Sequence, residues 1–173
     1  VLRFPVAGDA RAVADRIGHW SVVRMLGRAP WPYVLADAEA WIERSAQARR
    51  DGTDYAFVIT QPNSAPIGTV GLTRQDGDIW EIGYWLAQDY WGRGYVTEAA
   101  RGLLDWAGTR LGADKFVSGH FTDNAASNRV LEKLGFTAVG EIKLTSAARG
   151  VPSPCIRYTR GAPAEAALRS ASH

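Results

Sequence analysis

The chain has 173 residues, 46% of them hydrophobic and 22% charged, with a formal net charge of +2. That is the size and composition of one globular domain with a full core, and it excludes a disordered chain or a small disulfide scaffold. The single cysteine, Cys155, excludes an internal disulfide and a thiolate metal cluster, and the mild positive charge is not gathered into the long basic patch of a nucleic-acid binder.

"VLRF" before Pro5 reads as a short strand. "GDARAVADRIGH" follows with Ala10, Val13, Ala14 and Ile17 at helical spacing, ending near Gly18. "GRAPWPYVL" is a loop, and "ADAEAWIERSAQARR" is a second helix with Ala38, Trp41, Ile42 and Ser45 on one face. Asp51-Gly52 ends it. "DYAFVITQ" alternates as a strand with Tyr55, Phe57 and Ile59 on one side. "IGTVGLTRQ" and "IWEIGYWLA" continue a meander, joined by a hairpin turn at "DGD", residues 76–78. After Gly94 the period changes from two to 3.6, and Val96, Ala99, Ala100, Leu103, Leu104, Ala107 and Leu111 form a helical stripe. "KFVSGHF" is strand-like. "DNAASNRVLEKLG" is a short helix, with Asp123 or Asn124 as N-cap and Gly135 just past its end. "FTAVGEIKL" and "SPCIRYTR" are two closing strands.

The order β-α-α-β-β-β-α-β-α-β-β makes an α+β domain over residues 1–161: a mixed, mostly antiparallel sheet with helices on both faces. Residues 162–173 read as a frayed C-terminal tail.

Gly92 and Gly94 bracket Arg93 where the third meander strand gives way to a helix. A Walker A loop needs Lys-Ser/Thr after its last glycine, and Tyr95-Val96 stand there. A dinucleotide fingerprint needs a third glycine three residues on, and Thr97 stands there. What remains is the general device of a helix N-terminus whose backbone N–H groups and dipole bind a phosphate, with Arg93 adding charge. A plain strand-to-helix turn satisfies the same two glycines.

The stretch "EIGYWLAQDYWGRGYVTEA" together with "NAASNRVLEKLGF", in that order and about 30 residues apart, resembles the GNAT family of acyl-CoA-dependent N-acetyltransferases. Within it, the chain is similar to the branch that includes ribosomal-protein N-terminal acetyltransferases. The resemblance implies the following roles. The pyrophosphate of coenzyme A sits on backbone amides of Gly92, Arg93, Gly94, Tyr95 and Val96. The pantetheine arm pairs like an extra strand with Trp85, Leu86 and Ala87, and Asn124 and Asn128 contact it by side chain. The acceptor enters opposite, past Trp20, Arg24, Trp31 and Tyr33 and the "TSAARGVPSP" loop. Two departures stand out. Asp89 occupies a place where relatives often carry Gln or Arg. Leu131 occupies the place of a tyrosine general acid, and Ser127 matches a serine proposed for that task in the ribosomal-protein branch.

Acetyl transfer to an amine needs a base, a donor for the developing oxyanion and stabilisation of the leaving thiolate. It needs no metal. Glu81 is one base candidate, with Trp80, Ile82 and Trp85 beside it to desolvate it. His120, at the end of a strand across the cleft, is the other. Ser127 is the candidate donor to the thiolate. Each has an ordinary structural alternative: a sheet-ordering carboxylate, a packed histidine, a first-turn serine. The expected cosubstrate is acetyl-CoA and the expected partner a primary amine, either a protein N-terminus or a small molecule. No nucleic acid and no membrane is expected, a reducing cytoplasm fits, and either a monomer or a homodimer is expected. A non-catalytic acyl-CoA sensor of the same fold is the competing reading.

Overall fold

The computed structural model of the protein describes residues 1–169. Its centre is a seven-stranded sheet in the order β1-β2-β3-β4-β5-β7-β6. The strands are β1 (Leu2–Arg3), β2 (Asp54–Ile59), β3 (Gly68–Arg74), β4 (Ile79–Leu86), β5 (Lys115–Phe121), β6 (Thr137–Thr145) and β7 (Pro152–Arg160). Every neighbouring pair is antiparallel except β4–β5. The helices are α1 (Ala10–Ile17), α2 (Trp20–Val23), α3 (Leu35–Arg50), α4 (Tyr95–Leu111), α5 (Ala125–Lys133) and α6 (Ala164–Arg169).

Alternation along the strands sorts side chains onto two faces. Phe57, Ile59, Val70, Leu72, Trp80, Ile82 and Leu86 form one core with Ala99, Ala100, Leu103 and Leu104 of α4 and Leu131 of α5. On the other face Trp85 packs against a second cluster built by Ala10, Val13 and Ala14 of α1 and Ala38 and Ile42 of α3. The stripes expected on α1, α3 and α4 are buried except at Trp41, Val96 and Leu111, which are half-buried.

Three features lie outside or against the sequence expectation. "WSVV" forms the extra short helix α2. The tail expected to fray forms α6 over Ala164–Arg169, with Ala167 fully buried; residues 170–173 of that expectation lie outside the described residues. The alanines of "AEAAL" are strong helix formers, and the sheet offers α6 a place to bury one of them. Third, the last hairpin does not simply extend the sheet. β7 inserts between β5 and β6, so the last strand lies inside and β6 takes the edge.

Candidate active site

The site begins where two parallel strands part. β4 pairs with β5 only at Ile79, Trp80 and Glu81, against Lys115, Phe116 and Val117. Ala87 N–H donates to the Ile67 carbonyl on the β3 side (2.8 Å). Antiparallel ladders alternate, so Glu81, Gly83 and Trp85 direct their backbone groups to β3, while Ile82, Tyr84 and Leu86 direct theirs to the other edge. There Ser118 Oγ donates to the Ile82 carbonyl (3.0 Å), and the Trp91 indole Nε1–H donates to the Leu86 carbonyl (2.7 Å). Among the described residues, the Tyr84 N–H and carbonyl and the Leu86 N–H meet no strand on that side. The open edge therefore belongs to Tyr84 and Leu86. Trp85 and Ala87, expected to share it, turn their backbones to β3.

The strand ends in a 3-10 turn (Gln88–Tyr90) and then the glycine junction. Gly92 (φ +75°) and Gly94 (φ +80°) both occupy the left-handed region, which a Cβ penalises. Nothing lies within 4 Å of where a Cβ would stand on either, so close packing does not explain the choice. The first intrahelical bond of α4 runs from Glu98 N–H to the Gly94 carbonyl (3.0 Å). The N–H groups of Tyr95, Val96 and Thr97 are left to an external acceptor at the positive end of a helix running Tyr95–Leu111. Arg93 lies over the Tyr90 ring (5.7 Å), and Arg16 of α1 reaches the same ring (6.0 Å). An acyl-CoA fits this stretch: the loop and helix start suit a diphosphate, and the open strand edge suits an amide-bearing arm.

Across the gap, α5 is capped by Asn124, whose Oδ1 accepts from Ser127 N–H (3.2 Å). Asn124, not Asp123, is the cap, and Gly135 (φ +79°) follows the helix as expected. Ser127 is buried, and its Oγ meets the Tyr84 hydroxyl at 2.8 Å. Asn128 is placed differently from Asn124: its Nδ2 donates to Glu132 (3.1 Å), and its Oδ1 accepts from the Tyr158 hydroxyl.

Glu81 does not meet the apolar surroundings expected of it. Its Oε1 accepts from Arg157, a guanidinium only 3% exposed, at 2.7 Å. Its Oε2 faces Gln75 (3.4 Å) and the exposed Arg28 (3.8 Å). Arg157 is held in turn, its Nε donating to the Ala167 carbonyl of α6 (2.9 Å). His120 is buried with both ring nitrogens engaged. Nδ1–H donates to the Phe121 carbonyl (2.8 Å), because a carbonyl only accepts, and Nε2 lies 3.1 Å from the Tyr158 hydroxyl.

Glu81, Tyr84, His120, Asn124, Ser127 and Arg157 line one cleft of about 1280 Å³, which also takes in Tyr33, Trp41 and Arg44 beside α3 and Asp54 on β2, whereas Asn128 is not part of its lining. Burial pushes the Asp54 carboxyl up, against the hydrogen bond from Thr73 and the charge of Arg28. Burial likewise pushes the Tyr33 phenol up to about 12. Trp20 and Trp31 are half-exposed and meet edge to face (5.4 Å) outside the cleft lining. Arg24 is bound to Asp123, which Arg149 also holds at 2.8 Å. Ser146 Oγ donates to the Leu26 carbonyl (2.8 Å) and Ala147 N–H to the Gly27 carbonyl (2.9 Å). The β6–β7 loop thus fastens the loop after α2 at the acceptor end. Among the described residues, no group of three or more His, Cys, Asp or Glu side chains is placed to hold a metal ion.

The sequence reading missed Tyr84, Arg157, Tyr158 and Asp54. Alternation from Glu81 placed Tyr84 on the opposite face, which was the available signal. Nothing local marked Arg157, which lies 76 residues from its partner.

The profile of the Acetyltransferase (GNAT) domain matches residues 1–137. Among curated proteins, the Uncharacterized N-acetyltransferase YoaA of Bacillus subtilis (strain 168) is 33% identical over 88 residues, covering 50% of each chain. This chain spans about half the length of the first curated relatives it matches. Among solved structures, the ribosomal L7/L12 alpha-N-protein acetyltransferase RimL in complex with coenzyme A is 21% identical with a TM-score of 0.80, covering 94% of both chains. The ribosomal-protein-S5-alanine acetyltransferase of Vibrio fischeri is 20% identical with a TM-score of 0.79, covering 92% of this chain and 91% of its own. At such identities these two show a shared fold. With its profile match across most of its length, the chain belongs to the GNAT acetyltransferase family.

Proposed function

We propose that this protein transfers an acetyl group from acetyl-CoA to a primary amine by direct attack. One observation carries the reading: the open backbone edge of β4 runs straight into a helix start with N–H groups left for an external anion. A diphosphate with an amide-bearing arm has both of the groups this stretch recognises. Its backbone holders are Gly92, Gly94, Tyr95, Val96 and Thr97 at the phosphate end and Tyr84 and Leu86 along the strand.

Acetyl-CoA supplies the activated acyl group. The Tyr84 N–H at the open edge is the donor for the oxygen that gains charge. Glu81 takes the amine proton through Oε2, the oxygen that Arg157 leaves to the cleft. Ser127 Oγ–H serves the leaving sulfur. The acceptor is a protein N-terminus or a small-molecule amine; the names of the two structural neighbours support the first, and the cleft beside Tyr33, Trp41 and Asp54 admits either.

Release of free thiol from acetyl-CoA over a panel of N-terminal peptides, amino acids and small amines tests this. Amine-dependent release is expected. A rise in melting temperature with coenzyme A but no release over the whole panel would instead assign a non-catalytic acyl-CoA sensor.

A further inference from the structure

Tyr84 occupies a place the reaction scheme above leaves half used. Its backbone faces the open edge of β4. Its side chain leaves the sheet on the α4–α5 face, beside Ile82 and Leu86, and crosses the gap to α5. The hydroxyl stands 2.8 Å from Ser127 Oγ and 3.4 Å from the Ser127 carbonyl. The first contact is short and the second long. A phenol is also the better donor of the two hydroxyls, so Tyr84 Oη–H points to Ser127 Oγ. That arrangement leaves the serine's own proton for a third group. Both residues line the cleft, while Leu131, one turn further along α5, is fully buried and carries no proton to offer.

We propose that Tyr84 is a positioning residue for the leaving group: its phenol occupies one lone pair of Ser127 Oγ and so turns the serine proton toward the sulfur departing from the thioester. The inference rests on the acetyl-transfer reading. In the step it serves, the amine nitrogen forms a bond to the acyl carbon, the carbon–sulfur bond breaks, and its electron pair stays on sulfur. The amine's proton goes to Glu81. Ser127 and Tyr84 keep their protons and supply hydrogen bonds only. Burial pushes the Tyr84 phenol up to about 12, whereas an alkyl thiol such as cysteine titrates near about 8.5, so passing a phenol proton to the thiolate would be uphill. The thiolate then takes its proton from water. A chain of two hydroxyls in a buried site is worth more than either alone, because each polarises the next.

The test reads the thiol of bound coenzyme A, which needs no turnover. Thiolate absorbance is followed against pH with coenzyme A bound to the protein, to Tyr84→Phe, to Ser127→Ala and to the double variant. All four carry Cys155→Ala, so that only the ligand's sulfur is seen. The titratable neighbours of the pair, the Tyr158 phenol and His120 behind it, are unchanged in every arm. Tyr84→Phe retains the packed ring, and its melting temperature checks the fold. The bound thiol is expected to titrate about one pH unit higher in Tyr84→Phe than in the parent protein, a tenfold weaker hold on the thiolate. Ser127→Ala should match it and the double variant go no further. The single-turnover rate with acetyl-CoA should fall about tenfold to a hundredfold with affinity for coenzyme A unchanged, the span of one hydrogen bond to a charged group. Equal thiol titration in the parent and Tyr84→Phe, or additive effects of the two substitutions, overturns the proposal. Failure of the parent protein to bind coenzyme A overturns the acetyl-transfer reading, and this one with it.

Discussion

The two carboxylate oxygens of Glu81 meet different worlds. One is bound to a buried guanidinium, and the other looks into the cleft past Gln75 and Arg28. Glu81→Gln preserves the shape and the reach but cannot accept a proton. Turnover with an active amine is expected to fall at least about tenfold to a hundredfold while coenzyme A affinity, which the proposed function assigns to backbone groups, stays the same. Measuring the same two quantities for His120→Ala separates the candidates: normal turnover in Glu81→Gln with loss in His120→Ala would move the base to His120. Asp9 illustrates a charge placed for stability. Its oxygens take two hydrogen bonds from Arg3 (both 2.7 Å) and one from Val6 N–H (2.9 Å), tying β1 to the start of α1. Burial alone would push its carboxyl up, but the bonds from Arg3 and Val6 outweigh that and hold it below the usual carboxylate range. A folded-state value below the unfolded one stabilises the fold above the unfolded value, near about 3.9, and that gain is lost as pH falls through the folded value. With the Arg3 end partly in solvent, Asp9→Asn should cost about 1–2 kcal/mol at neutral pH. In melting curves taken from pH 7 to pH 3, the gap between the two proteins should stay constant above about pH 5 and narrow below about pH 4.

At the scale of elements, the junction of β4 and α4 takes the left-handed turns that its two glycines permit. Gly94 sits at φ +80° with open space where a Cβ would be. A valine there strains the backbone, at a cost on the order of 1–3 kcal/mol, and fills the approach to the N–H groups behind it. Gly94→Val is expected to fold, with a lowered melting temperature, and to lose the rise with coenzyme A that is expected of the parent protein. Calorimetry showing an unchanged rise would remove the phosphate role from this loop. The periodic elements were legible for a plain reason: the buried stripes of α1, α3 and α4 and the alternation of β2 to β4 are local patterns set by geometry of 3.6 and 2 residues. The short helix at "WSVV" was not, because four residues are too few to show a period.

At the scale of the whole molecule, the far end of the chain supports the centre. α6 buries Ala167 and offers its carbonyl to Arg157, and Arg157 holds Glu81. A chain ending at residue 161 loses that acceptor and the buried packing of Ala167, which costs about 1–3 kcal/mol. At about 2–4 °C for each kcal/mol in a chain of this size, its melting temperature should drop by several degrees. Turnover should fall with it, since Glu81 loses part of its support, while KM for acetyl-CoA holds. A truncated protein with unchanged melting and turnover would show that α6 has no part in the site.

The sequence by itself determined the α+β class, the order of the main elements, the glycine junction and the start of α5 at Asp123 or Asn124. All of these depend on residues within one or two turns or one strand of each other, where backbone geometry and side-chain type decide. Only the tertiary structure decided that β4 and β5 part after Glu81 and Val117, that β7 slips between β5 and β6, and that Tyr84 and Leu86 own the open edge. It alone brought Arg157 to Glu81 and Tyr84 to Ser127, pairs 76 and 43 residues apart. Such contacts arise when whole strands and helices settle against a common core, and no local period records which partner each will meet.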